Sequence, residues 1–140
     1  MLVPILFKEE MHMKIGKYFD EHEFACHCDR HGVDAEGHPI LDHIIDKRLV
    51  DVLDRIRERL GVPITVNSGY RCPEHNAEVG GVSDSQHVLG TAADITYDGI
   101  DIDRLAEIAE ECGADGIGKY YYQDFVHIDV RGYAARWDDL

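Results

Sequence analysis

The stretch Phe125-Val126-His127-Ile128-Asp129-Val130 constrains the fold of this chain more than any other. Apolar residues fall at alternate positions, and successive side chains of a strand point to opposite faces. Val126, Ile128 and Val130 therefore predict a face turned to a core, leaving Phe125, His127 and Asp129 on the other. A second run, from Ala92 to Tyr97, puts Ala92, Asp94 and Thr96 on one face and Ile95 with the opposite, apolar set. If these strands pair, Asp94 and His127 project from the same side of a sheet. His87 precedes Gly90, where a turn can bring it back over that side. Two histidines and one carboxylate are the ligand set of an open catalytic zinc site, with a fourth position for water or substrate. Spacing alone does not carry this far. The chain has nine histidines, and a lone histidine in an apolar strand is more often a satisfied polar residue than a ligand.

The rest of the chain supplies helices to cover such a sheet. Asp46-Lys47-Arg48-Leu49 opens one whose Leu49, Leu53, Ile56 and Leu60 recur at helical spacing, with Val52 widening the stripe. Gly61 is its expected C-cap, and Pro63 bars continuation. A second helix is predicted from about Ile102 to Cys112, stopped by Gly113, with Asp101 or Asp103 suiting the dipole at its start. Pro73 to Glu78 predicts a short helix with proline in its first turn. Ile64 to Asn67 and Gly116 to Tyr120 add two strands, and the stretch from Cys26 to Pro39 reads as loop. The expected class is α+β, a small, mostly antiparallel sheet with helices packed on one face. A length of 140 residues without repeats or linkers fits a single domain spanning 1–140, with an N-terminal loop region at about 18–40.

A net charge of −14 with no basic cluster argues against nucleic acid as a partner, because binding phosphates needs a positive footprint. The apolar start, Met1 to Phe7, ends abruptly at Lys8-Glu9-Glu10. It lacks the pattern of a signal peptide, and no run approaches the ~20 residues that span a bilayer. The expectation is a monomer without membrane insertion, cytoplasmic when synthesised. Cys112 belongs to the apolar side of the second helix as a buried thiol. Cys26-His27-Cys28 with His31, together with Cys72 and His75, could hold a structural metal, although Cys-x-Cys is tighter than the usual spacing. Alternatively, Cys26 or Cys28 could form a disulfide to Cys72 in an oxidising compartment, or all could remain thiols.

A longer pattern surrounds the proposed ligands. Ser68-Gly69-Tyr70-Arg71-Cys72-Pro73-Glu74-His75-Asn76, then Val79 through Ser85-Gln86-His87-Val88-Leu89-Gly90-Thr91-Ala92-Ala93-Asp94, resembles the zinc D-Ala-D-Ala carboxypeptidases. So does Gly116-Ile117-Gly118-Lys119-Tyr120 leading to Phe125 through Arg131. The resemblance covers about residues 18 to 132, and its most specific part is Ser-x-His-x-x-Gly-x-Ala-x-Asp from Ser85 to Asp94. That family shares a fold superfamily with lysostaphin-type peptidases and the hedgehog signalling domain, and includes phage endolysins that cut L-Ala-D-Glu bonds.

The resemblance implies that His87, Asp94 and His127 hold Zn2+ and that the substrate is a peptidoglycan stem peptide. Metal-activated water would hydrolyse the peptide bond, as in a D-alanyl-D-alanine carboxypeptidase or a phage-type endopeptidase released to the cell wall during lysis. Arg71 matches the family arginine expected to bind a substrate carboxylate or the oxyanion. Ser85 and Gln86 would bind substrate or shape the loop. The general base is less defined. Some relatives place Glu three residues before the last ligand, where this chain has Asp124; others place His two before it, where this chain has Phe125. Asp129 is expected either as the base or as the carboxylate that orients His127, with Arg131 as its salt-bridge partner. The rival expectation is a zinc-stabilised binding or phage structural domain of the same fold without turnover.

Overall fold

The computed structural model describes residues 16–26, 45–81 and 85–140. The expectations for Met1 to Phe7, for most of the loop from Cys26 to Pro39, and for His27, Cys28 and His31 lie outside the described residues.

Helix α1 spans Lys47–Leu60 and follows from its sequence at both ends. The Asp46 side chain caps it by accepting the Arg48 N–H at 2.8 Å. Gly61, left-handed at φ 77°, returns its own N–H to the Arg57 carbonyl. The stripe of Leu49, Val52, Leu53 and Ile56 is buried, while Leu60 lies only partly within the core. Helix α2 is the short Pro73–Glu78 segment, and α3 runs Ile102–Glu111 with Asp101 accepting the Arg104 N–H at 3.0 Å. A 3-10 helix at Glu21–Phe24 precedes them and places Phe24 in the core.

The strands are β1 (Thr65–Ser68), β2 (Ala92–Thr96), β3 (Gly116–Tyr120), β4 (Phe125–Asp129) and β5 (Ala135–Asp138), ordered β1-β2-β4-β3-β5 in one sheet. The first four pair antiparallel, but β5 lies parallel to β3. The sheet is therefore mixed, which corrects the expectation of a mostly antiparallel one. The physical reason is a strand that periodicity did not reveal. After β4 the chain reverses through Gly132 (φ 101°), passes the start of β3 at Asp115 and pairs on its far side. Running against β4, it necessarily runs with β3.

Strand parity divides the sheet as read from the sequence. Ala93 and Ile95 of β2, Ile117 of β3, and Val126 and Ile128 of β4 join Leu53, Ile56, Leu105 and Ile108 in one core under α1 and α3. Each valine, leucine or isoleucine among them contributes roughly 1.5–3 kcal/mol by leaving water. On the opposite face, register fixes the chemistry. Asp94 pairs with His127, His127 with Gly118, and Gly118 with Trp137, so four strands contribute one continuous row.

Candidate metal centre

The row becomes a site because the loop after α2 returns His87 over the sheet. Ser85 and Gln86 build that return. The Ser85 hydroxyl accepts the His87 N–H at 3.2 Å, and the Gln86 side-chain oxygen accepts the Thr91 hydroxyl at 2.8 Å. Both residues also line the cleft, so their loop-shaping role is visible while their side chains remain next to any occupant.

His87 Nε2 lies 3.2 Å and His127 Nδ1 3.1 Å from the same oxygen, Oδ1 of Asp94. These three donor atoms lie within 4.8 Å of one another. The outer nitrogens decide what the inner ones can be. His87 Nδ1 is 2.8 Å from the Gly69 carbonyl, which can only accept, so Nδ1 carries the proton. His127 Nε2 is 2.8 Å from Asp129 Oδ2 and donates to that carboxylate in the same way. Both inner nitrogens then present lone pairs to a carboxylate oxygen. Three acceptors facing one another are stable only around a shared cation. Their spacing also fits one, because the edge of a tetrahedron with zinc–ligand bonds of ~2.0–2.1 Å is about 3.3 Å.

The electrostatics agree with that reading. Burial opposes the charge on Asp94, yet once a proton stands in the cation's place, hydrogen bonds from His127 and His87 outweigh it and hold the carboxyl well below its usual range. Burial alone would lower the His127 pKa, but Asp129 and Asp94 raise it above the ordinary value. Both shifts favour positive charge in the place a metal would take.

Asp129 is fully buried and does not line the cleft. Its carboxylate accepts the Gly116 N–H at 3.0 Å and the Arg131 guanidinium at 2.7 Å, besides bonding His127. Burial opposes its charge too, and the bonds from His127 and Arg131 prevail, keeping it well below the carboxylate range. Of its two expected roles, orienting His127 is the one this geometry performs. Gly116 leaves the room required, since a Cβ there would stand 2.1 Å from Asp129 Oδ2.

Asp124 is not brought to the site. It sits on an exposed turn with φ 57°, and its neighbours Gln123 and Phe125 line the cleft in its stead. Arg71 is brought in: it lines the cleft half-buried, and its buried Nε has no hydrogen-bond partner among the described residues. Burial lowers its pKa while the Asp94 charge opposes the shift, and a guanidinium remains a cation throughout.

Trp137 of β5 forms a wall of the cleft. Its indole lies 5.0 Å from the His127 ring and donates to the Tyr120 hydroxyl at 2.8 Å. Gly118 permits this, because a Cβ there would come within 2.4 Å of the indole. Tyr120 lines the cleft, stacked on Phe125, whereas Tyr121 bonds Asp103 and Tyr122 is exposed. Arg131 lies over the Trp137 ring. A pairing of Gly118 with a later aromatic was the only signal in the sequence that could have found this wall.

The cleft has a volume of about 690 Å³. Sheet order places Asn67 and Ser68 on the β1 side of the trio and Trp137 on the β5 side. Among the described residues, no helix is long and apolar enough to cross a membrane.

Comparison with known proteins bears on what this centre does. The family model described as Peptidase M15 matches residues 17–129. The peptidoglycan L,D-endopeptidase MepK of Escherichia coli K12 is 36% identical over 100 residues, covering 66% of this chain and 54% of that protein. MepK of Shigella flexneri matches to the same extent. The zinc D-Ala-D-Ala carboxypeptidase of Streptomyces albus G is 36% identical over 80 residues, covering 54% of this chain and 31% of the relative. The chain thus spans about half the length of the MepK relatives and less of the carboxypeptidase.

Proposed function

The chain belongs to the peptidase M15 family, and from that premise we propose that it is a zinc peptidase hydrolysing peptidoglycan stem peptides. One observation carries the proposal: three acceptor atoms from His87, Asp94 and His127 converge at the cleft floor in a geometry that calls for a shared cation. Zinc bound there would lower the pKa of a coordinated water to about 7 and polarise the scissile carbonyl.

The protein's own residues supply the remainder. Asp129 fixes the His127 ring and its tautomer, and the Gly69 carbonyl does the same for His87. Arg71 offers a half-buried cation whose Nε–H meets no acceptor among the described residues, suited to a carboxylate of the stem peptide or to the oxygen that gains charge during attack. Trp137 shields the His127 side of the centre from water.

The match to MepK, named a peptidoglycan L,D-endopeptidase, covers more of this chain than the match to the carboxypeptidase, so an endopeptidase is the leading form of the proposal. Incubating the zinc-loaded protein with peptidoglycan fragments and following products by mass distinguishes the forms. An internal cut supports the endopeptidase, and release of D-Ala supports the carboxypeptidase. Zinc bound in equal stoichiometry with no product from any stem peptide would sink the peptidase reading and leave the non-catalytic domain.

A further inference from the structure

We propose that Cys26 and Cys72 are a disulfide-forming pair that staples the turn after the 3-10 helix to the loop carrying Arg71. The two sulfurs are 46 residues apart in the chain and 3.7 Å apart in space, both buried. With Tyr70 they form a small cluster separate from the main core, to which Cys112 belongs.

Their orientation is set by the backbone around them. The Cys72 N–H points at Cys26 Sγ at 3.4 Å, and the His75 N–H at Cys72 Sγ at 3.4 Å. The two segments already touch along their main chains. Tyr70 N–H donates to the Phe24 carbonyl at 2.8 Å, and a Cβ on Gly69 would lie 2.6 Å from Phe24 Cα. Closing a bond of about 2.05 Å therefore requires a shift of the sulfurs and no rearrangement of strands.

A low-molecular-weight disulfide such as oxidised glutathione supplies the chemistry. One cysteine thiolate attacks a glutathione sulfur, forming a mixed disulfide and expelling one glutathione thiolate. The second cysteine thiolate attacks the protein sulfur of that mixed disulfide and expels the other. The two protons lost by the cysteines go to the departing thiolates. The protein is oxidised by two electrons and glutathione disulfide is reduced by two.

The staple would act on the loop that holds the metal centre. Gly69 provides the carbonyl that orients His87, and the Arg71 N–H donates to the His87 carbonyl at 3.1 Å. The oxidised form should accordingly lose zinc to a chelator more slowly than the reduced form.

The test exposes the full chain to oxidised glutathione under native conditions, quenches with acid, alkylates and maps peptides by mass. The expected result is a Cys26–Cys72 cross-link with loss of two hydrogens, two fewer titratable thiols and an alkylated Cys112. The melting midpoint should rise by about 5 °C or more, reversibly with dithiothreitol. Cys26→Ser and Cys72→Ser should each abolish the cross-link and the shift, and Cys112→Ser should leave both. Links through Cys28, glutathione mixed disulfides that never close, or an unchanged thiol count would overturn the proposal. So would a native protein with two zinc ions that drops to one in either serine variant, since the sulfurs would then be metal ligands. One zinc in all forms, with the cross-link present, supports it.

Discussion

The two faces of the sheet are built from the same strands, yet they are buried by opposite means. In β4, Val126 and Ile128 pack under α1 and α3, and His127 and Asp129 on the reverse face are almost as inaccessible. The first pair gains free energy simply by leaving water. The second loses hydration, and must recover it through donors and acceptors placed to within a few tenths of an ångström. One face therefore holds the fold and the other holds the chemistry, and substitutions should separate them.

The largest separation is expected at the ligands. His87→Ala should abolish zinc binding and lower the rate of stem-peptide hydrolysis at least ~1,000-fold, with the far-ultraviolet circular dichroism retained. Metal removal by a chelator should do the same to the native protein, reversed by added zinc. Loss of the folded signal in His87→Ala would show that the polar face also carries the fold. Across the sheet, Ile128→Ala should cost about 2–5 kcal/mol in a denaturant titration while leaving the zinc stoichiometry of the folded fraction at one.

Asp129→Asn probes the boundary between the faces. Asparagine is close in shape but cannot balance both Arg131 and His127, so zinc affinity should fall ~10–100-fold. A pH signature accompanies it in the metal-free protein. A carboxyl whose folded pKa is depressed stabilises the native state above the unfolded value of about 3.9, and that contribution fades as the pH falls towards the folded value. The variant should consequently show a shallower loss of stability below about pH 4. An unchanged acid limb together with unchanged zinc affinity would remove Asp129 from the positioning role.

These contrasts also explain what could be read before the structure. Periodicity exposed α1 and α3 because helix burial repeats along a local stripe, and parity put Asp94 and His127 on one face because alternation is local too. The Ser85 to Asp94 pattern supplied the family, which the comparisons return. What escaped was non-local. β5 is four residues, Ala135–Asp138, with alternate half-exposure and no apolar run to announce it, and its partner β3 lies across a chain reversal. Trp137 could not be assigned to the cleft without that pairing. Likewise, both Asp124 and Asp129 sit close to His127 in sequence, and only the turn at Asp124 and the burial of Asp129 tell them apart.

Gly118→Ala tests that hidden pairing with a smaller effect. The added methyl must displace the indole, since it would stand 2.4 Å from its ring, and the chain has a single tryptophan. Its fluorescence should shift towards that of a water-exposed indole, and hydrolysis should slow by roughly tenfold as the His127 side opens. A Trp137→Phe variant should retain more activity than Gly118→Ala, because a ring would still cover His127.

The smallest change is expected at Asp124. Its exposed side chain is off the cleft lining, so removing the carboxylate takes no group from the centre. Its backbone is the costlier feature: φ 57° is left-handed, where aspartate and asparagine are tolerated better than alanine. Asp124→Asn should therefore keep both stability and rate within about twofold, whereas Asp124→Ala should lose on the order of 1 kcal/mol of stability with its rate per zinc-loaded molecule preserved. A rate that collapsed in Asp124→Asn with metal content intact would mean that this turn swings over the cleft during turnover. The proton acceptor would then belong to the loop between β3 and β4, and the division between a structural and a chemical face would extend beyond the sheet.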